Sequence, residues 1–179
     1  GANPGDLCRY ANTGDRSSKA ALLRDHGIAR KTHADCDDRA EYTAVVGMYE
    51  PNAYGLHDMI GNVSEWVEDC QHLSYAGAPD DGSAWTSGCD TSRAGMYMRR
   101  GSSYHDGPLG SVSSLRGHGG KTNASSLGEG IRIALDLPAE LKPSCPKSSS
   151  PGCASAPGDQ AFAAELAQAQ AAEHKRRGR

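Results

Sequence analysis

Residues Pro51–Asp69 read PNAYGLHDMIGNVSEWVED. Two carboxylates, Asp58 and Glu65, stand either side of Gly61, which permits a sharp turn between them. A hard cation takes several oxygens, a mixture of carboxylates and turn carbonyls. Asp58, Glu65 and the carbonyls of Gly61 and Val63 can supply such a cage, although the spacing is not that of an EF-hand loop. Composition by itself equally allows a plain solvated acidic turn.

Outward from this stretch, Thr43–Tyr49 (TAVVGMY) reads as a short strand on its upstream side. Ser64–Cys70 (SEWVEDC) reads as one or two helical turns or an edge strand. Residues 71–95 hold Gly, Pro, Asp and Ser with little periodicity and form a long loop. Met96–Arg100 reads as a strand, Gly101–Gly130 as a Ser- and Gly-rich loop, and Gly130–Leu137 (GIRIALDL) as an alternating, closing strand. Towards the N-terminus, Ser17–Asp25 is the one predicted helix of the first forty residues, with a serine as its cap.

The order of motifs is informative. GLHDMIGNVSEW resembles the signature G-L-x-D-M-x-G-N-V-x-E-W of formylglycine-generating enzymes, the sulfatase-modifying factors. PNAYG resembles the P-N-x-[FY]-G that leads into it, and Asp69 is the expected acidic residue after it. RRGSSY at Arg99–Tyr104 resembles R-G-G-S-[WY], with Ser102 in place of one glycine. Arg116 falls where the family places an arginine, and GEGIRIAL resembles the closing N-x-G-F-R strand. The similarity spans about residues 8–137.

The resemblance implies an α+β, loop-rich, C-type-lectin-like fold with short strands and few helices. It also implies that the usual N-terminal third of the domain is missing, and the chain begins at Gly1 without a visible signal peptide. Two structural calcium sites are implied. One uses Asn12, the Thr13 carbonyl, Asp38 (with Asp37 as the neighbouring alternative) and the Ala40 carbonyl. The other is the Asp58, Gly61, Val63 and Glu65 set. Ordinary turn capping is the alternative role for Asn12 and Asp38.

Departures from the family decide the chemistry. Active members bind copper(I) through two cysteines placed two and seven residues beyond the aromatic of R-G-G-S-[WY]. Those positions are Asp106 and Ser111 here, and no cysteine lies between Cys89 and Cys145. Soft thiolates suit copper(I), and hard oxygens do not. The first tryptophan of the signature is also changed, to Ser64. No catalytic residue is therefore assigned, and copper is not an expected cofactor.

Two functions remain. The first is a binding module for a protein or peptide, with Tyr104, His105, Asp106, Leu109, Ser111 and Arg116 around a surface pocket, as in variable proteins of diversity-generating retroelements. The second is an enzyme that converts a substrate cysteine to formylglycine, or performs another oxidation on the same fold. Ser102, Ser103 and Ser111 lack an identifiable base and oxyanion partner, and RRGSS lacks the spacing of a phosphate loop.

Composition fits a loop-rich domain: 22 glycines, 37% hydrophobic and 6% aromatic residues. The net charge of −3 provides no field for nucleic acid, and no apolar run is long enough for a transmembrane helix. Six cysteines allow fifteen pairings, and local proximity suggests Cys8–Cys36, Cys70–Cys89 and Cys145–Cys153. Such disulfides imply a periplasmic or secreted setting, and idle thiols would imply a cytoplasmic one.

Three segments result. Residues 1–138 form the family-like domain, 139–158 a Pro/Ser-rich linker, and 159–179 a tail. Asp159 caps an alanine-rich helix over residues 160–174, which ends in the basic run His174–Arg179. Its apolar stripe (Phe162, Leu166, Ala169) is thin, so the tail is expected to be solvated or loosely docked.

Overall fold

A computed structural model describes residues 4–90, 92, 96–120, 128–134 and 159–178. After a single 3₁₀ turn at Pro4–Asp6 come α1 (Leu7–Tyr10) and α2 (Arg16–His26). The sheet follows with β1 (Ser64–Cys70), β2 (Met96–Arg100), β3 (Gly117–Gly120) and β4 (Glu129–Gly130), and α3 spans Asp159–Arg176. The architecture is mixed α+β, with a small open sheet and few helices, as the resemblance implied.

α2 forms where expected, but its cap is Asp15 rather than a serine. The Asp15 side chain accepts from Ser18 N, and Ser18 Oγ accepts from Asp15 N, a reciprocal capping box. Gly27, at φ 65°, ends the helix in the left-handed conformation that glycine adopts at least cost.

The sheet order is β3-β2-β1-β4. β1 pairs antiparallel with β2 (Glu65 opposite Arg100) and parallel with β4 (Ser64 opposite Glu129). Ser64–Cys70 is thus neither helical nor an edge: it is an inner strand, partnered on both sides. β3, inside the stretch expected to be loop, pairs antiparallel with β2 through four residues that include three glycines.

Two strand expectations are corrected. Thr43–Tyr49 forms no strand and turns at Gly47, with φ 73°. Its backbone is satisfied by a side chain in place of a ladder: Asn62 Oδ1 accepts from Ala44 N at 2.8 Å, and Asn62 Nδ2 donates to Ala44 O at 3.1 Å. Of the described residues 130–134 in Gly130–Leu137, only Gly130 enters the sheet. Residues 131–134 leave the ladder with Ile131 and Ile133 at 81% and 89% exposure, and residues 135–137 lie outside the described residues.

The long loop after β1 is closed as expected by Cys70–Cys89, and the N-terminal segment by Cys8–Cys36. No described cysteine is free. Each crosslink stabilises such a loop-rich chain by roughly 2–4 kcal/mol. Inside the closed loop, His72 stacks on Trp85 with ring centroids 3.4 Å apart, and Cys70 N donates to Trp85 O at 3.0 Å. The proposed Cys145–Cys153 pair and the linker 139–158 lie outside the described residues.

The core is small and unusually polar. Leu22, Met48, Tyr49, Met98 and Tyr104 are buried beside Asn12, Thr13, Asp15, Asp38 and Asn62. Buried polar groups are tolerated only when they are partnered, so the interior is defined by where those partners come from.

Candidate functional site

Asn62, which the sequence analysis passed over, joins three segments at the centre of this polar core. Its Oδ1 accepts from Asn12 Nδ2 at 3.2 Å as well as from Ala44 N, and its N–H donates to the Asn12 carbonyl at 2.7 Å. Gly61 sits so close that a Cβ there would lie 2.1 Å from the Asn12 oxygen, and its φ is 84°. The G-N pair of the signature therefore brings the two predicted cation loops together. Asp58 and Asn62 adopt left-handed φ values of 54° and 61°, a conformation that short polar residues tolerate.

At the first predicted site, Asn12, Thr13, Asp38 and Ala40 converge, all buried. Asp38 accepts from Thr13 N through Oδ2 and from Ala40 N through Oδ1, each at 2.7 Å. Asn12 Nδ2 donates to Tyr42 O at 2.8 Å, but Asn12 Oδ1 is buried with no hydrogen-bond partner. Asp15 stands beside them and accepts from Asp38 N at 2.6 Å. Burial, then the neighbouring charge of Asp15, pushes the Asp38 carboxyl up to about 7, and burial raises Asp15 as well. Cys8 Sγ lies within the same cluster. Its sulfur is committed to the disulfide and offers no thiolate.

At the second site, Asp58 Oδ2 accepts from Gly47 N at 2.6 Å, whereas its Oδ1 is buried without a partner. Glu65 is reached by Arg132, whose Nε lies 2.7 Å from Oε1; Arg132 Nη2 also donates to the carbonyls of His57 and Asp58. Burial raises the Glu65 carboxyl, partly opposed by Arg132. Each of the two predicted ligand sets thus holds one buried, unfilled oxygen acceptor. A bare acceptor in the interior costs roughly 1–3 kcal/mol. Both sets present the oxygen donors that a hard cation takes, with Arg132 supplying positive charge to Glu65 at the second.

The cleft loop begins at Ser102, whose φ of 59° explains why the family pattern has glycine there. Its Oγ accepts from Gly61 N at 3.2 Å. A cavity of about 190 Å³ opens between this loop and the sheet, lined by Ser64, Arg100, Ser103, His105, Asp106 and Gly128 among others. Gly128 is held to glycine by contact, since a Cβ would lie 2.7 Å from Ser103 Cβ and 2.8 Å from His105 Cε1.

Of the six predicted ligand contacts, His105 and Asp106 line this cavity and the others do not. Tyr104 is 2% exposed, with its ring edge-on to Tyr42 and His105. Leu109 is 83% exposed and lies away from the cavity. Ser111 is buried against Thr13, with the two hydroxyl oxygens 3.1 Å apart. Arg116 donates to the carbonyls of His72 and Ser74 and lies over the rings of Tyr75 and Trp85. It fixes the far arm of the loop, a task it shares with Arg100, which donates to Leu115 O and Ser113 O.

Asp106 Oδ2 accepts from Ser103 N at 2.9 Å and from Ser103 Oγ at 2.7 Å. Asp106 and Ser111 therefore turn to different partners, Ser103 and Thr13. His105 Nδ1 lies 3.3 Å from Ser103 Oγ, and burial lowers its pKa despite the neighbouring Asp106. The Asp106 carbonyl accepts from Thr13 Oγ1 and Gly14 N, so the segment that carries Asn12 and Thr13 is tied to the cleft loop.

The sulfatase-modifying factor enzyme 1-like domain profile matches residues 5–137. The chain belongs to that family. Solved structures similar to this family member include PvdO from Pseudomonas aeruginosa, 31% identical with a TM-score of 0.43, over 60% of this chain and 45% of that one. Another is variable protein 1 of Treponema denticola, 20% identical with a TM-score of 0.39, over 64% of this chain and 32% of that one. The chain spans less than half the length of either structure. No curated protein matches it.

Proposed function

We propose that this member of the sulfatase-modifying factor family is a calcium-stabilised binding module that does not oxidise cysteine. The observation that carries the proposal is the pair Asp106 and Ser111 at the positions of the family's copper-binding cysteines. Both offer hard oxygen, and both are engaged in internal hydrogen bonds. Calcium supplies positive charge to the Asp38 and Glu65 carboxyls, which burial otherwise drives towards their neutral form. Asn12 and Asp38 hold one ion, Asp58 and Glu65 the other, with the carbonyls of Thr13, Ala40, Gly61 and Val63 completing the sets.

The ligand is a protein or peptide segment. A cavity of about 190 Å³ is smaller than the ~300–1,000 Å³ of pockets that enclose small molecules, and it suits a single inserted side chain. His105 and Asp106 provide hydrogen bonds at its wall, and the exposed Leu109 extends the contact surface outside it. Two disulfides support a setting in an oxidising compartment, periplasmic or secreted. No described helix is long and apolar enough to cross a membrane.

The test is incubation of the protein with copper(I), oxygen and a sulfatase-type cysteine peptide. Mass spectrometry is expected to find no formylglycine above background. Copper-dependent turnover would replace the binding module with an oxidase.

A further inference from the structure

The C-terminal helix lies beyond the family-matched segment, yet it meets the domain through one ordered face. Leu166, Gln170, Glu173 and Arg177 recur at spacings of four, three and four, which puts them on one side of a helix. Leu166 and Gln170 wall a groove of about 780 Å³ whose opposite side carries Val46, Leu56, Ile131 and Ile133. Gln170 Nε2 donates to the Val46 carbonyl at 2.8 Å. It approaches Gly47 so closely that a Cβ there would lie 2.7 Å from that nitrogen.

Arg177 completes the face. Its side chain is 1% exposed. Nη1 donates to the Tyr49 hydroxyl at 2.7 Å and to the Asp38 carbonyl at 3.3 Å, and Nε pairs with Glu173 at 2.6 Å. The guanidinium lies 5.8 Å from the centroid of the Tyr49 ring. A buried charge is costly unless acceptors await it. Here a hydroxyl, a carbonyl, a carboxylate and an aromatic ring receive Nε, Nη1 and the face of one guanidinium, and Nη2 is buried without a hydrogen-bond partner.

We propose that Tyr49, the Asp38 carbonyl and the Val46–Gly47 turn form an arginine-recognition site whose resident ligand is the chain's own C-terminal helix, held in cis as a strap. The planar fork of arginine reaches a hydroxyl and a carbonyl on one side and a carboxylate on the other. An ammonium group does not reproduce that geometry. The sequence sets a tail of this reach apart from the domain, with residues 139–158 between them. The site shares the Asp38 backbone with the first calcium set, and the groove walled by the helix is also lined by Asp58, Gly61, Val63 and Glu65 of the second, so the test is run with both sets saturated; the cleft lies outside it.

Hydrogen exchange on the full chain in excess calcium tests it. In the parent protein the amides of 164–178 are expected to be protected beyond what an isolated helix shows. Arg177→Ala should lower that protection at least about tenfold, the loss of charge-assisted hydrogen bonds, and Arg177→Lys should not restore it. Gln170→Ala, a change on the tail that leaves the domain intact, should lower protection in the same direction. Protection should also be independent of protein concentration, as a contact in cis requires. Protection in Arg177→Ala within about twofold of the parent, full rescue by lysine, or protection lost on dilution would each overturn the proposal.

Discussion

The polar core around Asn12, Asp38, Asp58 and Asn62 and the cleft loop from Ser102 to Arg116 draw on the same residue types and use them differently. In the core, Asn12 Oδ1 and Asp58 Oδ1 are buried with no partner, and Asp38 is pushed up to about 7. In the loop, the one buried side-chain atom without a partner is a donor, Arg116 Nη1, and no acceptor is left bare. Its carboxylate and hydroxyls are engaged internally: Asp106 is bound to Ser103, Ser111 to Thr13, and its far arm is pinned by Arg100 and Arg116. On the proposed reading, a cation is what completes the core, and its bare acceptors are what calcium titration probes.

The contrast is broken most severely at Gly61. Gly61→Ala places a Cβ 2.1 Å from the Asn12 oxygen at a φ of 84°, and should cost roughly 3 kcal/mol or more. A large drop in melting temperature with loss of both cation sites is expected. An unchanged melt would mean the two loops are not held together there.

A milder test addresses the cleft through pH. Burial holds the His105 pKa below its ordinary 6.5, so the unfolded chain takes up the proton first. Its contribution to stability is therefore full above pH 6.5 and is lost as the pH falls through the folded value. Denaturant titrations in the parent and in His105→Gln should show a shallower decline below pH 6.5 in the variant. Equal slopes would remove His105 from the buried wall of the cavity.

The smallest effect should have the opposite sign. Ser102 carries a left-handed φ of 59° where the family pattern has glycine. Its compensation is one hydrogen bond from Gly61 N, a donor that also reaches Gly101 O. Ser102→Gly is expected to stabilise the chain by about 0.5–1 kcal/mol, measured as a small rise in denaturation midpoint. Destabilisation would show that the Gly61–Ser102 bond outweighs the backbone strain.

Much of this was legible in the sequence, and what was not has physical reasons. The signature pointed to Asp58, Gly61, Val63 and Glu65 as a calcium cage because its carboxylates and glycine turn lie within one short segment, an expectation that the calcium titration tests. Its asparagine, Asn62, carried no obvious chemistry, yet it supplies Thr43–Tyr49 with the hydrogen bonds that a neighbouring strand would have provided. A pattern of β-branched residues therefore pointed to a strand that a side chain had made unnecessary. Tyr104 looked like a ligand contact because aromatics suit exposed loops, but the left-handed turn at Ser102 directs the chain inward and buries the ring. The tail was judged by its thin apolar stripe, whereas the face it uses is largely polar. Only contact with Tyr49 and Val46 gives Gln170 and Arg177 their meaning.

The central claim is that the unfilled acceptors of the core await calcium. Calorimetric titration of calcium into the chelator-stripped chain tests it most directly. The account predicts two ions per chain, with Asn12→Ala removing one and Asp58→Asn the other. It also predicts stabilisation of about 2.7 kcal/mol per site at a hundredfold excess over Kd. A folded chain that takes up no calcium, and whose melt is the same with chelator and with calcium, would contradict it.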